Sequence, residues 1–238
     1  MRARWESTSV KKKLRIAIDG PAGAGKSSAA RGLAQRLGYV YIDTGAIYRA
    51  LAWRAIQQGL DVERHVEAIA DIAGRMRVEF RGTDGGQHIF VDGEDLERQV
   101  RLPEVGVMSS PVSAIPQVRE NLLQLQRDLA AGGGVVMEGR DIGTVVLPDA
   151  EMKVFLTATP EERARRRFEQ LKGDHPEVTF EQVLADQQER DRRDSSRAVA
   201  PLRKADDALA LVTDGMPLDE VINRLVEMAR DMESDADV

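Results

Sequence analysis

The chain has 238 residues, of which 42% are hydrophobic and 31% charged, and its formal net charge is −6. This composition predicts a globular protein with a sizeable core, and the negative charge argues against a general nucleic-acid or membrane-surface binder. The absence of cysteine excludes disulfides, thiolate metal sites and a cysteine nucleophile. Because no apolar run is long enough to span a membrane and no signal peptide is visible, we expect a cytoplasmic protein.

Residues 1–13 mix charged and small polar side chains, which predicts a flexible N-terminal tail ahead of a domain at residues 14–238. The tail ends in three lysines, so a basic arm for an anionic partner is the alternative. The domain opens with an apolar run at residues 14–18, which predicts a buried strand.

A glycine-rich loop and a helix follow that strand. The loop, GPAGAGKS, matches the phosphate-binding pattern G-x-x-x-x-G-K-[ST] at every position, and residues 29–37 have helical apolar spacing. Glycines let backbone N–H groups turn toward phosphate oxygens, and the helix adds its positive end. Lys26 is expected to reach the β- and γ-phosphates of a nucleotide, and the Ser27 hydroxyl is expected to bind Mg²⁺.

A second strand and two helices are predicted next. Residues 39–42 form a short apolar run ended by Asp43, and Thr44 stands where a helix N-cap belongs. That helix is expected to continue to Ile56. A further helix is predicted over residues 62–72, stopped by the glycine two residues later.

The following part of the chain changes character. Residues 75–101 alternate apolar and polar side chains around two glycine-containing turns, which predicts a small antiparallel meander. Residues 102–131 are helical in character, and we expect Pro111 and Pro116 to break them into shorter helices. Together these segments predict an insert at about residues 62–131.

Strands and helices alternate again in the remainder of the chain. This alternation predicts an α/β fold with a central parallel sheet flanked by helices. Ligands bind beyond the carboxyl ends of such strands, so the glycine loop, Asp43-Thr44 and Arg140-Asp141 are expected to meet at one edge. For Asp19 and Asp43, a structural and a functional role are equally open. Strands are predicted at residues 135–137, 152–156 and 209–212, and helices beginning at Thr159, Thr179 and Leu218.

Arginines are concentrated near the predicted strand and helix ends. A phosphoryl transferase needs such cations to hold a second phosphate and to offset charge on the transferred group. For any single arginine, a solvated helix face with pairs such as Glu162–Arg166 is the alternative. We predict Lys26, Arg140 and Arg193 as the catalytic cations. The arginines concerned are Arg49, Arg119, Arg140, Arg163, Arg166, Arg167, Arg190, Arg192, Arg193 and Arg197.

The class of nucleotide-binding protein is narrowed by two missing motifs. The sequence has no N-K-x-D for reading guanine and no D-x-x-G placed after a strand as a γ-phosphate switch. Where a motor ATPase would have an acidic strand end, this chain has Glu138-Gly139-Arg140-Asp141. A small-molecule kinase is favoured, and a regulator that hydrolyses or senses ATP without an acceptor is the alternative.

Four segments closely resemble the bacterial cytidylate kinases, which are nucleoside-monophosphate kinases. In chain order they are IAIDGPAGAGKSS, YIDTGAIYRALA, EGRDIGTVVLPDA and ERDRRDSSRAVAPL. The glycine loop is shared with many folds, but the other three segments are specific to this family. The resemblance runs from about residue 14 to the last helix. It implies a phosphate-loop (P-loop) kinase whose antiparallel insert binds the monophosphate and whose lid lies at about residues 163–180.

The activity implied by the resemblance is transfer of the γ-phosphoryl group of MgATP to CMP or dCMP, giving ADP and the diphosphate. The implied ATP-binding residues are Gly20, Pro21, Ala22, Gly23, Ala24, Gly25, Lys26, Ser27 and Ser28. The implied CMP-binding residues are Thr44, Arg49, Ser110, Arg119, Arg140, Asp141, Arg190, Asp194 and Arg197. We expect Mg²⁺ as cofactor and a monomer whose partners are ATP and CMP or dCMP, with no nucleic acid or membrane.

The chemistry of cytidine agrees with this residue set. Cytosine offers an N4 amine and acceptors at O2 and N3, so Asp141 or Asp194 suits N4 or the ribose. Arg49 and Arg119 suit bidentate phosphate contacts, and phosphoryl transfer demands no general base. The nearest alternative is a kinase of the same fold that acts on another monophosphate or a small alcohol.

Overall fold

The computed structural model describes residues 13–83, 86–173 and 175–235. The tail predicted at residues 1–13 lies outside the described residues except for Lys13. In chain order the elements are β1 (Arg15–Asp19), α1 (Lys26–Leu37), β2 (Val40–Asp43), α2 (Thr44–Gln57), α3 (Val66–Arg75), β3 (Val78–Thr83), β4 (Gly86–Val91), β5 (Glu94–Asp95), α4 (Pro103–Val112), α5 (Pro116–Ala130), β6 (Val135–Gly139), β7 (Met152–Thr157), α6 (Pro160–Leu171), α7 (Phe180–Ser196), β8 (Leu209–Val212) and α8 (Leu218–Asp235).

Five of these strands form a parallel sheet in the order β2-β6-β1-β7-β8. Helices α1 and α8 cover one face, where Leu33 and Leu225 are fully buried, and α5 packs on the other face through Ala130. The predicted α/β class is confirmed. In the register, Asp19 lies beside Gly139, and Asp43 lies beside Glu138. The carboxyl ends of β1, β2 and β6 therefore share one edge.

The part of the chain between α2 and β6 forms a separate unit of structure. Strands β3, β4 and β5 form a separate antiparallel sheet, as the turn pattern predicts, with the short β5 as an additional strand. This sheet packs with α2, α3, α4 and α5 around its own apolar core, in which Leu51, Ile69, Ile89 and Leu122 are buried. The insert is thus anchored to the central sheet through α2 and α5.

Three helix boundaries differ from those predicted. The helix predicted at residues 62–72 begins only at Val66, because the Asp61 carboxylate accepts hydrogen bonds from the N–H groups of Glu63 and Arg64 and holds a turn there. It continues past Gly74 to Arg75. Pro111 also does not break its helix where expected: α4 runs through it and ends one residue later. Pro116, in contrast, begins α5.

One helical turn is absent from the sequence prediction. Residues Ile142–Val146 form a π-helical turn directly after β6. The buried carboxylate of Asp19 accepts from the N–H groups of Ile142 at 2.8 Å and Gly143 at 2.7 Å, which fixes the start of the turn. Four of its five residues are β-branched and the fifth is Gly143, and neither type favours a helix. Asp19 therefore has a structural role, and the contact that reveals it spans more than 120 residues.

Among the described residues, no helix combines the length and the apolar character that crossing a membrane requires.

Candidate active site

The glycine loop occupies the turn between β1 and α1. At Gly20 the backbone has φ near +149°, and a Cβ there would lie 1.9 Å from the carbonyl oxygen of Leu156 on the neighbouring strand, so only glycine fits. At Gly25, which precedes α1, φ is +90°. The loop thus wraps the N-terminus of α1, and such a turn directs backbone N–H groups toward a bound anion.

Lys26 is buried at the start of α1, where it is 5% exposed. Its Nζ donates a hydrogen bond to the carbonyl oxygen of Pro21 at 2.7 Å. Burial lowers the pKa of Lys26, and the charges of Arg140 and Arg190 lower it further, whereas Glu138 raises it. A bound anion such as a nucleotide phosphate would stabilise the charged form of this buried lysine.

Beside the loop lies the group that we call the arginine cluster: Arg119, Arg140, Asp141, Arg190, Asp194 and Arg197. Arg119 lies on α5, and Arg140 and Asp141 directly follow β6. Arg190 and Asp194 lie on α7, and Arg197 directly follows it. Arg119 Nη2 donates to Asp141, and Arg140 Nε donates to Asp194 at 2.9 Å. Arg197 Nε donates to the carbonyl oxygen of Asp194 at 3.2 Å. The structure therefore brings six predicted site residues into one region.

The cluster has more cationic donors than the described residues can satisfy. Three buried N–H groups have no hydrogen-bond partner in the described part of the chain: Arg119 Nε, Arg190 Nε and Arg197 Nη2. Burial and the neighbouring Arg140 lower the pKa of Arg190 to about 10. Burial and Arg119 likewise lower the pKa of Arg197. Unpaired buried donors and mutually repelling cations are what an anion-binding site requires.

The comparisons with known proteins agree with this geometry. The family model for cytidylate kinase matches residues 16–231. A cytidylate kinase of Pelotomaculum thermopropionicum is 50% identical over 212 residues, covering 89% of this chain and 93% of the relative. One of Caldicellulosiruptor saccharolyticus is 46% identical, covering 91% and 96%.

The chain belongs to the cytidylate kinase family. The resemblance found in the four sequence segments is thereby confirmed, as is the prediction of a nucleoside-monophosphate kinase. Among solved structures, an uncharacterized protein from Eubacterium ventriosum superimposes with a TM-score of 0.51 and 12% identity, covering 92% of this chain and 99% of that one. That likeness supports the fold alone.

Two of the predicted CMP-binding residues, Thr44 and Arg49, lie in the first two turns of α2. The N-cap of α2 is Asp43 and not Thr44: the Asp43 carboxylate accepts from the N–H of Ala46 at 3.0 Å. The prediction for Thr44 as a cap is wrong, because its hydroxyl donates instead to the Glu138 carbonyl oxygen at 2.7 Å. Arg49 pairs with the same Asp43 carboxylate at 2.7 Å.

Ser110 and Arg193 form a pair of their own. Arg193 Nη1 donates to Ser110 Oγ at 2.8 Å, which joins α7 to α4 of the insert. The Arg193 side chain is 42% exposed and its other nitrogen faces Glu189. These two predicted residues therefore lie at the rim of the cluster, between the insert and α7.

The arginines of the predicted lid separate into three environments. Arg163 is buried against the glycine loop, where it donates to the Ala22 carbonyl oxygen at 2.9 Å. Arg166 bonds Glu162 at 2.8 Å, the helical pair named above as the alternative, and also donates to the Thr213 carbonyl oxygen. Arg167 contacts only the Gln170 amide, at 3.4 Å, among its described neighbours.

Glu138 is the site residue that the sequence analysis missed. It is 4% exposed at the end of β6, and its carboxylate accepts from the hydroxyl of Tyr41. Burial and the charge of Asp43 raise the pKa of Glu138, whereas Lys26 and a hydrogen bond from Ser27 lower it. The signal was present: an acidic residue closes a fully apolar strand in a parallel sheet.

Proposed function

We propose that these residues carry out the ATP-dependent phosphorylation of CMP to CDP, and of dCMP to dCDP. The observation that supports this most directly is the set of N–H groups on Arg119, Arg190 and Arg197 that have no hydrogen-bond partner among the described residues. Arg190 is also close enough to lower the pKa of Lys26, so the cluster borders the glycine loop. A site with a donor cradle and an adjacent arginine pocket suits two phosphorylated substrates.

ATP is proposed to bind at residues 20–28. Backbone N–H groups of the loop would hold the β-phosphate at the N-terminus of α1, with Lys26 Nζ reaching the β- and γ-oxygens. Phosphate binding replaces the single hydrogen bond to Pro21 and offsets the burial of the ammonium. The geometry favours nucleotide over an uncharged ligand for that reason.

CMP is proposed to bind at the arginine cluster, with Thr44, Arg49 and Ser110 at its margin. Guanidinium groups make bidentate contacts to a monophosphate that lysine does not reproduce. Asp141 and Asp194 are the carboxylates available to accept from cytosine N4 or from the ribose hydroxyls. Both are buried and held by arginines, so their orientation is fixed before substrate binds.

Mg²⁺ fits the chemistry of the residues at the donor loop. The Ser27 hydroxyl and the Glu138 carboxylate are hydrogen-bonded neighbours that would hold the ion, because Mg²⁺ in kinases takes one or two protein oxygens besides phosphates and water. The described residues contain no group of three or more acidic or imidazole side chains that would hold a metal unaided. When bound with ATP, Mg²⁺ neutralises charge on the β- and γ-phosphates.

The reaction requires alignment more than proton transfer. An oxygen of the CMP phosphate attacks the γ-phosphorus in line with the departing ADP. Lys26, Arg140 and Arg193 are proposed to offset the negative charge of the transferred group, and the lid at residues 163–180 is proposed to exclude water, which competes as acceptor. A cytoplasmic monomer that acts on free nucleotides remains the expectation.

A coupled assay of ADP release with CMP, dCMP, UMP, AMP and shikimate as acceptors tests the proposal. CMP and dCMP should give the highest kcat/KM. A better rate with another monophosphate or with shikimate would replace the substrate assignment. ATP turnover that is indifferent to every acceptor would favour the regulator named above.

A further inference from the structure

The Arg163 guanidinium makes three polar contacts among the described residues, and the proposed mechanism uses none of them. It is 4% exposed on α6. Its Nε donates to the Ala158 carbonyl oxygen at 3.0 Å, and its Nη1 donates to the Ala22 carbonyl oxygen in the glycine loop at 2.9 Å. The same Nη1 lies 2.7 Å from Asp191 Oδ2 on α7. One guanidinium therefore connects the donor loop to the helix that carries part of the arginine cluster.

Gln187, one turn before Asp191 on α7, provides a further connection between α7 and α6. It is 8% exposed, and its Nε2 donates to the Arg163 carbonyl oxygen at 3.3 Å. A Cβ on Gly23 would lie 2.6 Å from Gln187 Nε2 and 3.1 Å from both Cβ and O of Arg163. Helices α6 and α7 thus press directly on the loop at Gly23.

The chain positions along α7 extend this connection to the acceptor side. Arg190 and Asp194 flank Asp191 within one helical turn, and Asp194 holds Arg140 at 2.9 Å. A shift of the loop carbonyl at Ala22 is passed through Arg163 to a rigid helix that carries acceptor-binding side chains. Close-packed contacts of this kind transmit displacement because they cannot deform continuously.

We infer that Arg163 is a positioning residue that couples nucleotide binding in the glycine loop to CMP binding at the arginine cluster. The inference rests on the proposed function, because it takes Arg190 and Asp194 as acceptor-binding residues. Coupling between two sites is reciprocal, so ATP tightens CMP binding by the same factor as CMP tightens ATP binding. Lysine keeps the charge of Arg163 but lacks the planar fork that spans α6, the loop and α7.

The test measures Kd for CMP by calorimetry with and without a saturating β,γ-imido ATP analogue and Mg²⁺. In the wild-type protein the analogue should lower Kd by about fivefold or more. In Arg163→Lys and in Asp191→Ala this ratio should fall to below about twofold, while each variant still binds CMP alone. A purely structural role would change thermal stability and leave the ratio unaltered.

Arg165→Lys is the matched control, since Arg165 lies on the same helix but is 61% exposed and paired with Glu162. Its ratio should equal that of the wild type. The inference is overturned if the Kd ratio of the wild-type protein is one, or if Asp191→Ala keeps the ratio of the wild type. If Arg163→Lys does not fold, Asp191→Ala decides, because alanine suits a helix and leaves both carbonyl contacts of Arg163. If the variants phosphorylate CMP and keep the wild-type Kd ratio, only the coupling inference is contradicted. If the wild-type protein fails to bind CMP, the proposed function is contradicted as well.

Discussion

Arg119 and Asp141 form a buried ion pair that joins α5 to the end of β6. The side chains are 6% and 7% exposed, Arg119 Nη2 donates to Asp141, and the guanidinium lies 5.4 Å from the ring centre of Tyr48. Burial lowers the pKa of Arg119, but Tyr48 and Asp141 outweigh it, and the net pKa is raised. The pair keeps a cation in the pocket, while Arg119 Nε has no hydrogen-bond partner in the part of the chain that the structure describes.

Asp141→Ala is expected to raise KM for CMP at least tenfold, which is about 1.4 kcal/mol, and to change KM for ATP by less than about twofold. It leaves Arg119 buried without its carboxylate, which costs about 3–5 kcal/mol of stability. Steady-state kinetics with each substrate varied, together with urea unfolding, measure both effects. Glu220→Ala, which removes an exposed pair with Arg224 on α8, is the control. Equal effects on the two KM values would remove Asp141 from the acceptor pocket.

Lys26→Met is expected to slow transfer strongly without loss of the fold. Losing one oriented charge in the transition state costs about 2.7–4 kcal/mol, or 10²–10³ in kcat. The pKa of Lys26 is lowered from its ordinary 10.5 to about 7 in the folded protein. Between these two pH values the unfolded chain binds more protons than the folded protein, so the stability of the wild type rises with pH over that range. The variant lacks this rise, so its stability relative to the wild type should be most favourable near pH 7 and decline by pH 10. Denaturant unfolding without nucleotide measures this, and wild-type kcat or a matching pH slope would contradict it.

Tyr41→Phe is expected to destabilise the protein by about 1–3 kcal/mol, because Glu138 then lacks a buried donor. The pKa of Glu138 is already raised by burial and Asp43. As pH rises above 4.5, the unfolded chain releases this proton more readily than the folded protein, so the stability of the fold decreases. Removing a donor to the carboxylate enlarges that decrease. The loss should be greater at pH 8 than at pH 5 in urea unfolding. Equal losses at both values would show that the hydroxyl does not stabilise the charged form.

Asp43 is expected to serve both as helix cap and as partner of Arg49. Asp43→Asn keeps an acceptor for the Ala46 N–H and removes the charge beside Arg49, whereas Asp43→Ala removes both. Asp43→Ala should therefore be less stable than Asp43→Asn by about 1 kcal/mol. Thermal unfolding of the two variants at one pH provides the comparison. Variants of equal stability would mean that the cap contributes nothing to α2.

Local sequence patterns predicted the strands of the central sheet, the glycine loop and the meander, because each depends on residues that are adjacent along the chain. They also placed Lys26, Asp43 and Arg140 at one edge, since parallel strands end on the same side. The patterns failed where a distant or polar contact replaced local preference. Asp61 delays α3 through its own carboxylate, and Asp19 creates the turn at Ile142–Val146.

The sequence by itself determined the family and the glycine loop, and it supplied the residues proposed to bind a second phosphate. Only the tertiary structure decided which arginine meets which carboxylate: Arg119 takes Asp141, Arg140 takes Asp194, and Arg163 lies under the loop at Ala22. The physical reason is separation along the chain. A motif is a property of neighbouring residues, whereas Arg163 and Ala22 are 141 positions apart, and only the tertiary placement of α6 beside the glycine loop brings them within hydrogen-bonding distance.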